Sequence, residues 1–274
     1  MKKIIITGSN GFIGKHVSDY FKKKKYKTLE LSSSKNIKNW KLGQSLPVKK
    51  LDNTIILHFA FDLKSLKKGL NLKRNNNYKY TVELSDQIEK YKNSKFFFIS
   101  SQTANKKAKS LYGKIKFLIE NKIILNKNTK IIIPGFVYHK NDSKIVIALK
   151  KILRFKFFPI INYKDNLNPI HINDFCEALE KIILDKKNRK YYLGSIKPIN
   201  FKRFIKHVCR DNNIREPYFI FIPPFILNFI AAFIDKLNIL EISIIERINS
   251  LTQLKKINTI ETFKSLKIKP KYKF

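Results

Sequence analysis

Five short, largely apolar runs punctuate the first half of the chain: KIIIT (3–7), TLEL (28–31), TIILHFA (54–60), KFFFISS (95–101) and KIIIPG (130–135). A strand apolar at nearly every position has no face for water, so its sheet must be covered on both sides. Between these runs Ile13, Val17, Tyr20 and Phe21 recur at helical spacing, and residues 75–92 and about 112–125 read as helices. Strand–helix alternation of this kind builds a parallel sheet, which right-handed crossovers make doubly wound. Beyond Gly135 the alternation loosens, although YYLGS (191–195) reads as one more strand returning to the sheet.

The junction between the first run and the first helix carries three glycines at three-residue steps, in IIITGSNGFIGKHV (4–17). Strand, Gly8-x-x-Gly11-x-x-Gly14, then helix is the context that a phosphate-binding turn requires. Gly8 permits the sharp turn, Gly11 lets backbone approach a pyrophosphate, and Gly14 lets the helix pack closely on the strand. Free amides and the dipole at the helix start favour the anion. The expected cofactor contacts of this turn are Gly8, Asn10, Gly11, Phe12, Ile13 and Gly14. An acidic residue about 20 positions on, at the end of the second strand, would hold a ribose hydroxyl of NAD. Here Ser32, Ser33, Ser34 and Lys35 stand there, with Glu30 inside the strand. Hydroxyls and a lysine suit a 2′-phosphate, which tilts the expectation from NAD to NADP, with Ser32, Ser33 and Lys35 as contacts.

A second pattern is Tyr-x-x-x-Lys, whose members share a helix face. An ammonium beside a phenol favours the phenolate and tunes it for proton exchange with a hydroxyl or carbonyl. The spacing occurs at Tyr20/Lys24, Tyr91/Lys95 and Tyr112/Lys116. Only Tyr112 opens a helix after a strand that ends in Ser100-Ser101, at the carboxyl edge of the sheet where ligands bind. Tyr112, Lys116 and Ser101 are therefore the candidate catalytic residues.

Several stretches together resemble the extended short-chain dehydrogenase/reductase family, whose members include nucleotide-sugar epimerases, dehydratases and reductases. TGSNGFIG resembles the family's cofactor turn, LHFA (57–60) its His-x-Ala segment, FFFISS and YGKIK its catalytic serine strand and Tyr-Lys helix. IIIPGFVY is similar to the strand flanking the nicotinamide, and NPIHINDFCEAL (168–179) to the turn into a helix near the substrate lobe. The resemblance implies cofactor contacts at His58, Ala60, Asn77, Pro134 and Val137. It also implies an α/β fold: a doubly wound parallel Rossmann sheet from residues 1–135 and about 169–195, with a smaller, mostly helical substrate lobe from about 136–168 and 196–274. The implied activity is NAD(P)-dependent epimerisation or ketoreduction of a nucleotide-diphosphate sugar, at its 4-position. A non-sugar carbonyl substrate, and a non-catalytic RNA-binding or cofactor-sensing relative, are the alternatives. Homodimers are common in the family. The chain departs from the pattern at Gln102 and Thr103, where dehydratases of the family carry an Asp-Glu pair, at Ile133, and in having ten residues between Ser101 and Tyr112.

The remaining features are consistent with a cytoplasmic enzyme. Fifty-seven Lys and Arg against 20 Asp and Glu give a net charge of +37, but the lysines are spread along the chain beside many Ile, Asn and Phe. We read that charge as compositional drift that still favours anionic small molecules, without a specific nucleic-acid partner. Cys176 and Cys209 form no metal or redox motif and read as reduced core residues. The apolar stretch 219–234 is interrupted by Pro223, Pro224 and Asn228 and is too short for a membrane span. His16 and His207 read as surface helix residues, His171 and Asp174 as stabilisers of a turn and helix start, and no metal is expected.

Overall fold

The computed structural model describes residues 3–33, 38–66, 71–160, 164, 166–187, 189–223, 226, 249–251 and 253–274. Seven strands form one sheet, all in parallel pairings: β1 (Lys3–Thr7), β2 (Thr28–Ser32), β3 (Lys38–Asn39), β4 (Thr54–His58), β5 (Lys95–Ile99), β6 (Thr129–Pro134) and β10 (Lys190–Leu193). Their order is β10-β6-β5-β4-β1-β2-β3, so the strand sequence reverses direction at β1 and β4. This is the doubly wound Rossmann arrangement, and its ligand crevice lies outside the carboxyl ends of the strands at the reversal.

The apolar runs are strands because both faces of the sheet are covered. Ile4 and Ile6 point into one core with Val17 and Phe21 of α1 (Phe12–Lys23) and Phe175, Leu179 and Ile182 of α5 (Ile172–Leu184). Ile5, Ile56, Phe96 and Phe98 point into the other, with Ile88 of α2 (Asn76–Glu89) and Ile115 and Ile119 of α3 (Leu111–Ile123). Full burial of each such side chain contributes about 1.5–3 kcal/mol, which outweighs the poor sheet propensity of the flanking lysines.

A third core joins Tyr138 of β7 (Phe136–Tyr138), Val146 and Leu149 of α4 (Lys144–Ile152), Phe158 and Ile160 of β8 (Phe157–Ile160), and Phe204, Ile205 and Val208 of α6 (Phe201–Asp211). Two small parallel ribbons serve it, β7 with β9 (Pro169–His171) and β8 with β11 (Tyr218–Phe221). The helix α7 (Thr259–Leu266), which the sequence reading grouped with residues 196–274, instead packs Phe263 and Leu266 into the first core beside α5. Gly135 and Gly194 meet at Asn168, where a Cβ on either would lie 1.8 and 2.8 Å from the Asn168 carbonyl oxygen. Most of the stretch 219–234 lies outside the described residues. Among the described residues, no helix is long and apolar enough to cross a membrane.

Candidate active site

The glycine turn separates packing demands from ligand demands. Gly8 has φ +71°, and a Cβ there would lie 2.7 Å from the Ala60 amide nitrogen. A Cβ on Gly14 would lie 2.3 Å from the Gly8 carbonyl oxygen. Both glycines are therefore required by the chain's own packing. Gly11 is different: it is exposed, has φ −70°, and its Cβ would only brush Gly8 O at 3.3 Å. The side of Gly11 away from Gly8 O is open, as close approach of a ligand to the main chain would require. Gly11 caps α1 with no side-chain acceptor, and the first turn holds no acidic residue. The leading amides of α1 are thus presented to an anion. Asn10 is exposed beside Gly11, while Phe12 and Ile13 lean on the first core. These residues fit a dinucleotide pyrophosphate.

The other expected cofactor contacts divide. Ser32 is buried and Ser33 exposed at the end of β2, whereas Lys35 lies outside the described residues. Glu30 pairs with Lys22 of α1 at 2.5 Å, so no carboxylate closes the described end of β2. Ala60 abuts Gly8, and Pro134 closes β6 with its carbonyl accepting from the Gln102 amide at 2.9 Å. Val137 is half-buried in β7 against the first core. His58 does not offer its ring to the crevice. The imidazole is buried between Thr7 Oγ1 at 2.8 Å and Thr81 Oγ1 at 3.1 Å, and burial first, then the Lys116 charge, push its pKa down to about 3. Nor does Asn77 face a ligand. Its carboxamide clamps the loop after β4, accepting from the Asp62 amide at 2.6 Å and donating to Asp62 O and Ser65 Oγ. Both groups are buried and fully engaged, which explains their positions without a cofactor.

Ser101, Tyr112 and Lys116 come together at the carboxyl edge of the sheet. Ser101 follows β5, and Tyr112 opens α3, whose N-cap Ser110 accepts from the Gly113 amide at 3.1 Å. Gly113 must be glycine, since a Cβ would lie 2.6 Å from Thr103 O. The Ser101 hydroxyl lies near enough to the Tyr112 phenol to lower its pKa, and it accepts from Thr103 N at 3.2 Å and Thr103 Oγ1 at 3.0 Å. Phe61 meets the Tyr112 ring edge-on at 4.9 Å. Lys116 is buried, donates to Ile99 O at 2.5 Å and lies 5.2 Å from the Tyr112 ring centre.

The electrostatics differ from the sequence expectation in one respect. Burial pushes the phenol up to about 12, and the neighbouring Ser101 hydroxyl is the influence that lowers it. Burial also brings Lys116 down to about 7, against the raising effect of Glu120. A phenol with its pKa raised in this way rests protonated at neutral pH. Tyr20, the other Tyr-x-x-x-Lys candidate on a described helix, donates to Glu180 of α5 at 2.6 Å and serves the contact between helices.

Sequence reasoning missed the groups behind the triad. Glu120, buried one turn after Lys116, accepts from the Ser100 hydroxyl and from Lys255 Nζ at 3.4 Å. Gln102 is buried too, donating to Asn166 O at 2.6 Å, Asn168 Oδ1 at 3.0 Å and Lys255 O at 3.0 Å. Glu120 alone had a signal, its i+4 spacing from Lys116. His16, read as a plain surface residue, meets His139 and Asp142, although no histidine–carboxylate set was expected to cluster. His171 caps α5 through Nδ1, and Asp174 accepts the amides of Lys271 and Tyr272.

Residues 4–117, which run from the glycine turn through the Tyr-Lys pair, match the NAD dependent epimerase/dehydratase family. Those residues are similar to that family, the extended short-chain dehydrogenases/reductases. Likeness of fold extends beyond the matched residues. The chain is similar to dTDP-4-dehydrorhamnose reductase of Bacillus anthracis in complex with NADP, at 15% identity and TM-score 0.61 over 83% of this chain and 86% of that one. It is similar to ADP-L-glycero-D-manno-heptose-6-epimerase of Helicobacter pylori at 17% identity and TM-score 0.62, over 81% and 86%. TunA, an NAD dependent NDP-hexosamine 5,6-dehydratase involved in tunicamycin biosynthesis, aligns over 98% of this chain and 92% of that one, with TM-score 0.68 and 14% identity. No curated protein matches the sequence.

Proposed function

We propose that this chain is a short-chain dehydrogenase/reductase that acts on a nucleotide-linked sugar, with NADP as the favoured cofactor, and that its outcome is reduction of a 4-keto group. The observation that carries the reading is the Ser101–Tyr112 hydroxyl pair beside buried Lys116, at the same sheet edge as the glycine turn. β1 and β5 are separated only by β4, so the two features lie about 10 Å apart across the sheet, a span a dinucleotide bridges. A nicotinamide cofactor bound there supplies or takes up hydride. Tyr112 gives its proton to the carbonyl oxygen, and Ser101 donates a hydrogen bond to the same oxygen. Lys116, when protonated, would supply positive charge behind the phenol, and its remaining N–H donors would be available to the cofactor's sugar. A protonated phenol is the acid that ketoreduction needs. Elimination of water is disfavoured, because Gln102 is bound up in a buried amide network and Thr103 bonds Ser101, leaving no acid–base pair there. The lack of a carboxylate at the described end of β2 supports NADP. The net charge of +37 and the sugar-nucleotide enzymes among structurally similar proteins support a diphosphate-bearing substrate.

The test is to offer NADPH or NADH with a panel of nucleotide-linked 4-keto sugars, their reduced counterparts and simple carbonyl compounds, following cofactor oxidation and product mass. Stoichiometric NADPH oxidation with a 4-keto sugar is expected. Interconversion of sugars without net cofactor change would make the enzyme an epimerase. Turnover confined to simple carbonyls would remove the sugar assignment.

A further inference from the structure

Four of the chain's five histidines converge on one place, where the start of α1, the segment after β7 and the end of β9 meet. The His16 and His139 ring centres are 5.0 Å apart, His139 and His171 are 5.6 Å apart, and His207 joins through Tyr138 at 5.6 Å. Within this group His16 Nε2 lies 2.6 Å from Asp142 Oδ2, and His139 Nδ1 bonds the other oxygen of the same carboxylate. The three ligand atoms all lie within 4.8 Å of one another.

We propose that His16, His139 and Asp142 form a binding site for a divalent transition-metal ion of the zinc class. A tetrahedral ion held at about 2.0–2.1 Å places its ligand atoms roughly 3.3 Å apart, a separation these side chains reach by small torsions. Two imidazoles with one carboxylate select zinc, cobalt or nickel over magnesium and calcium, which take all-oxygen shells. The rings are already aimed. Phe12 meets the His16 ring edge-on at 5.3 Å, and His139 rests against His171, whose ring stacks on Tyr272 at 3.5 Å. The side chains of His16, His139 and Asp142 are 24%, 23% and 47% exposed, so remaining coordination positions open to water. The competing structure is a plain ion pair of protonated imidazoles with Asp142, which binds no metal. A bound ion would tie α1 to the segment that leads into the third core, and this holds whatever the enzyme's substrate.

The experiment uses the tag-free full chain stripped with EDTA, titrated with Zn²⁺ by calorimetry and with Co²⁺ by visible absorption. One ion per chain is expected, with cobalt d–d bands showing nitrogen and oxygen ligation. His139→Ala and Asp142→Asn should each weaken uptake by at least about tenfold, whereas His207→Ala should not. Asp142→Asn keeps the shape of an exposed side chain and carries the test if His139→Ala fails to fold. Absence of saturable uptake, or uptake unchanged by both substitutions, overturns the proposal.

Discussion

Lys116 donates its ammonium to the main-chain oxygen of Ile99 at 2.5 Å, pinning the first turns of α3 to the carboxyl end of β5. That bond, with the close approach of Gly113 to Thr103 O, holds the start of α3 beside the strand that delivers Ser101. It also fixes a cation in a dry site, with its pKa lowered from 10.5 to about 7 by burial.

Stability should record that burial. Between pH 7 and 10.5 the unfolded lysine is protonated and the folded one is not, so the folded protein binds fewer protons and stability rises with pH. At and below pH 7 the full cost of burying the charge is present. The stability of the wild type relative to Lys116→Met is therefore expected to rise by up to about 1.4 kcal/mol per pH unit above neutrality. Urea unfolding of both proteins at a series of pH values measures the difference.

Glu120 raises the Lys116 pKa, so Glu120→Gln should lower it further. A rate that needs the lysine charged is lost as pH rises through its pKa, and in the variant that loss begins at lower pH. The pH profile of kcat/KM reads the displacement, and Glu120→Asp should restore part of it. A purely structural glutamate would change the rate without moving the profile.

Gly11 and Gly14 should separate on substitution. Gly14→Ala puts a Cβ 2.3 Å from Gly8 O and should destabilise the fold by about 1–3 kcal/mol. Gly11→Ala meets only a 3.3 Å contact, so its melting temperature should stay near that of the wild type while cofactor affinity falls by about tenfold or more. Thermal melts paired with cofactor titration check both.

Ser101→Ala removes the hydroxyl that lowers the phenol pKa and the donor proposed to position the substrate oxygen. The expected result is a fall in kcat of about 10²-fold with little change in KM. Steady-state kinetics at a fixed saturating cofactor concentration distinguishes this from lost binding.

The central sheet was legible in the chain because its strands are self-contained signals. KIIIT, TIILH and KFFFI are apolar at almost every position, and the glycine turn sits between one of them and a helix. β3 was not legible, being two exposed residues that pair with β2 only at Leu31 and Ser32. The β8–β11 ribbon joins residues some sixty positions apart, and α7 finds the first core across the whole length of the chain. Local pattern carries no information on such pairings. At the site, Ser101, Tyr112 and Lys116 converge as spacing and context led one to expect. His58 and Asn77 departed from expectation because each buried polar group had to find protein partners, and it found them in Thr7, Thr81 and the loop Asp62–Ser65. The phenol lies above its ordinary value for the same kind of reason: sequence shows which charges are near, but not how dry the place is.

The most direct measurement is hydride transfer by Tyr112→Phe, with cofactor affinity determined on the same preparation. Loss of the phenolic proton should lower turnover by about 10²–10⁴-fold while cofactor binding stays within about twofold of the wild type. Turnover at the wild-type rate in a protein that binds cofactor normally would contradict the account.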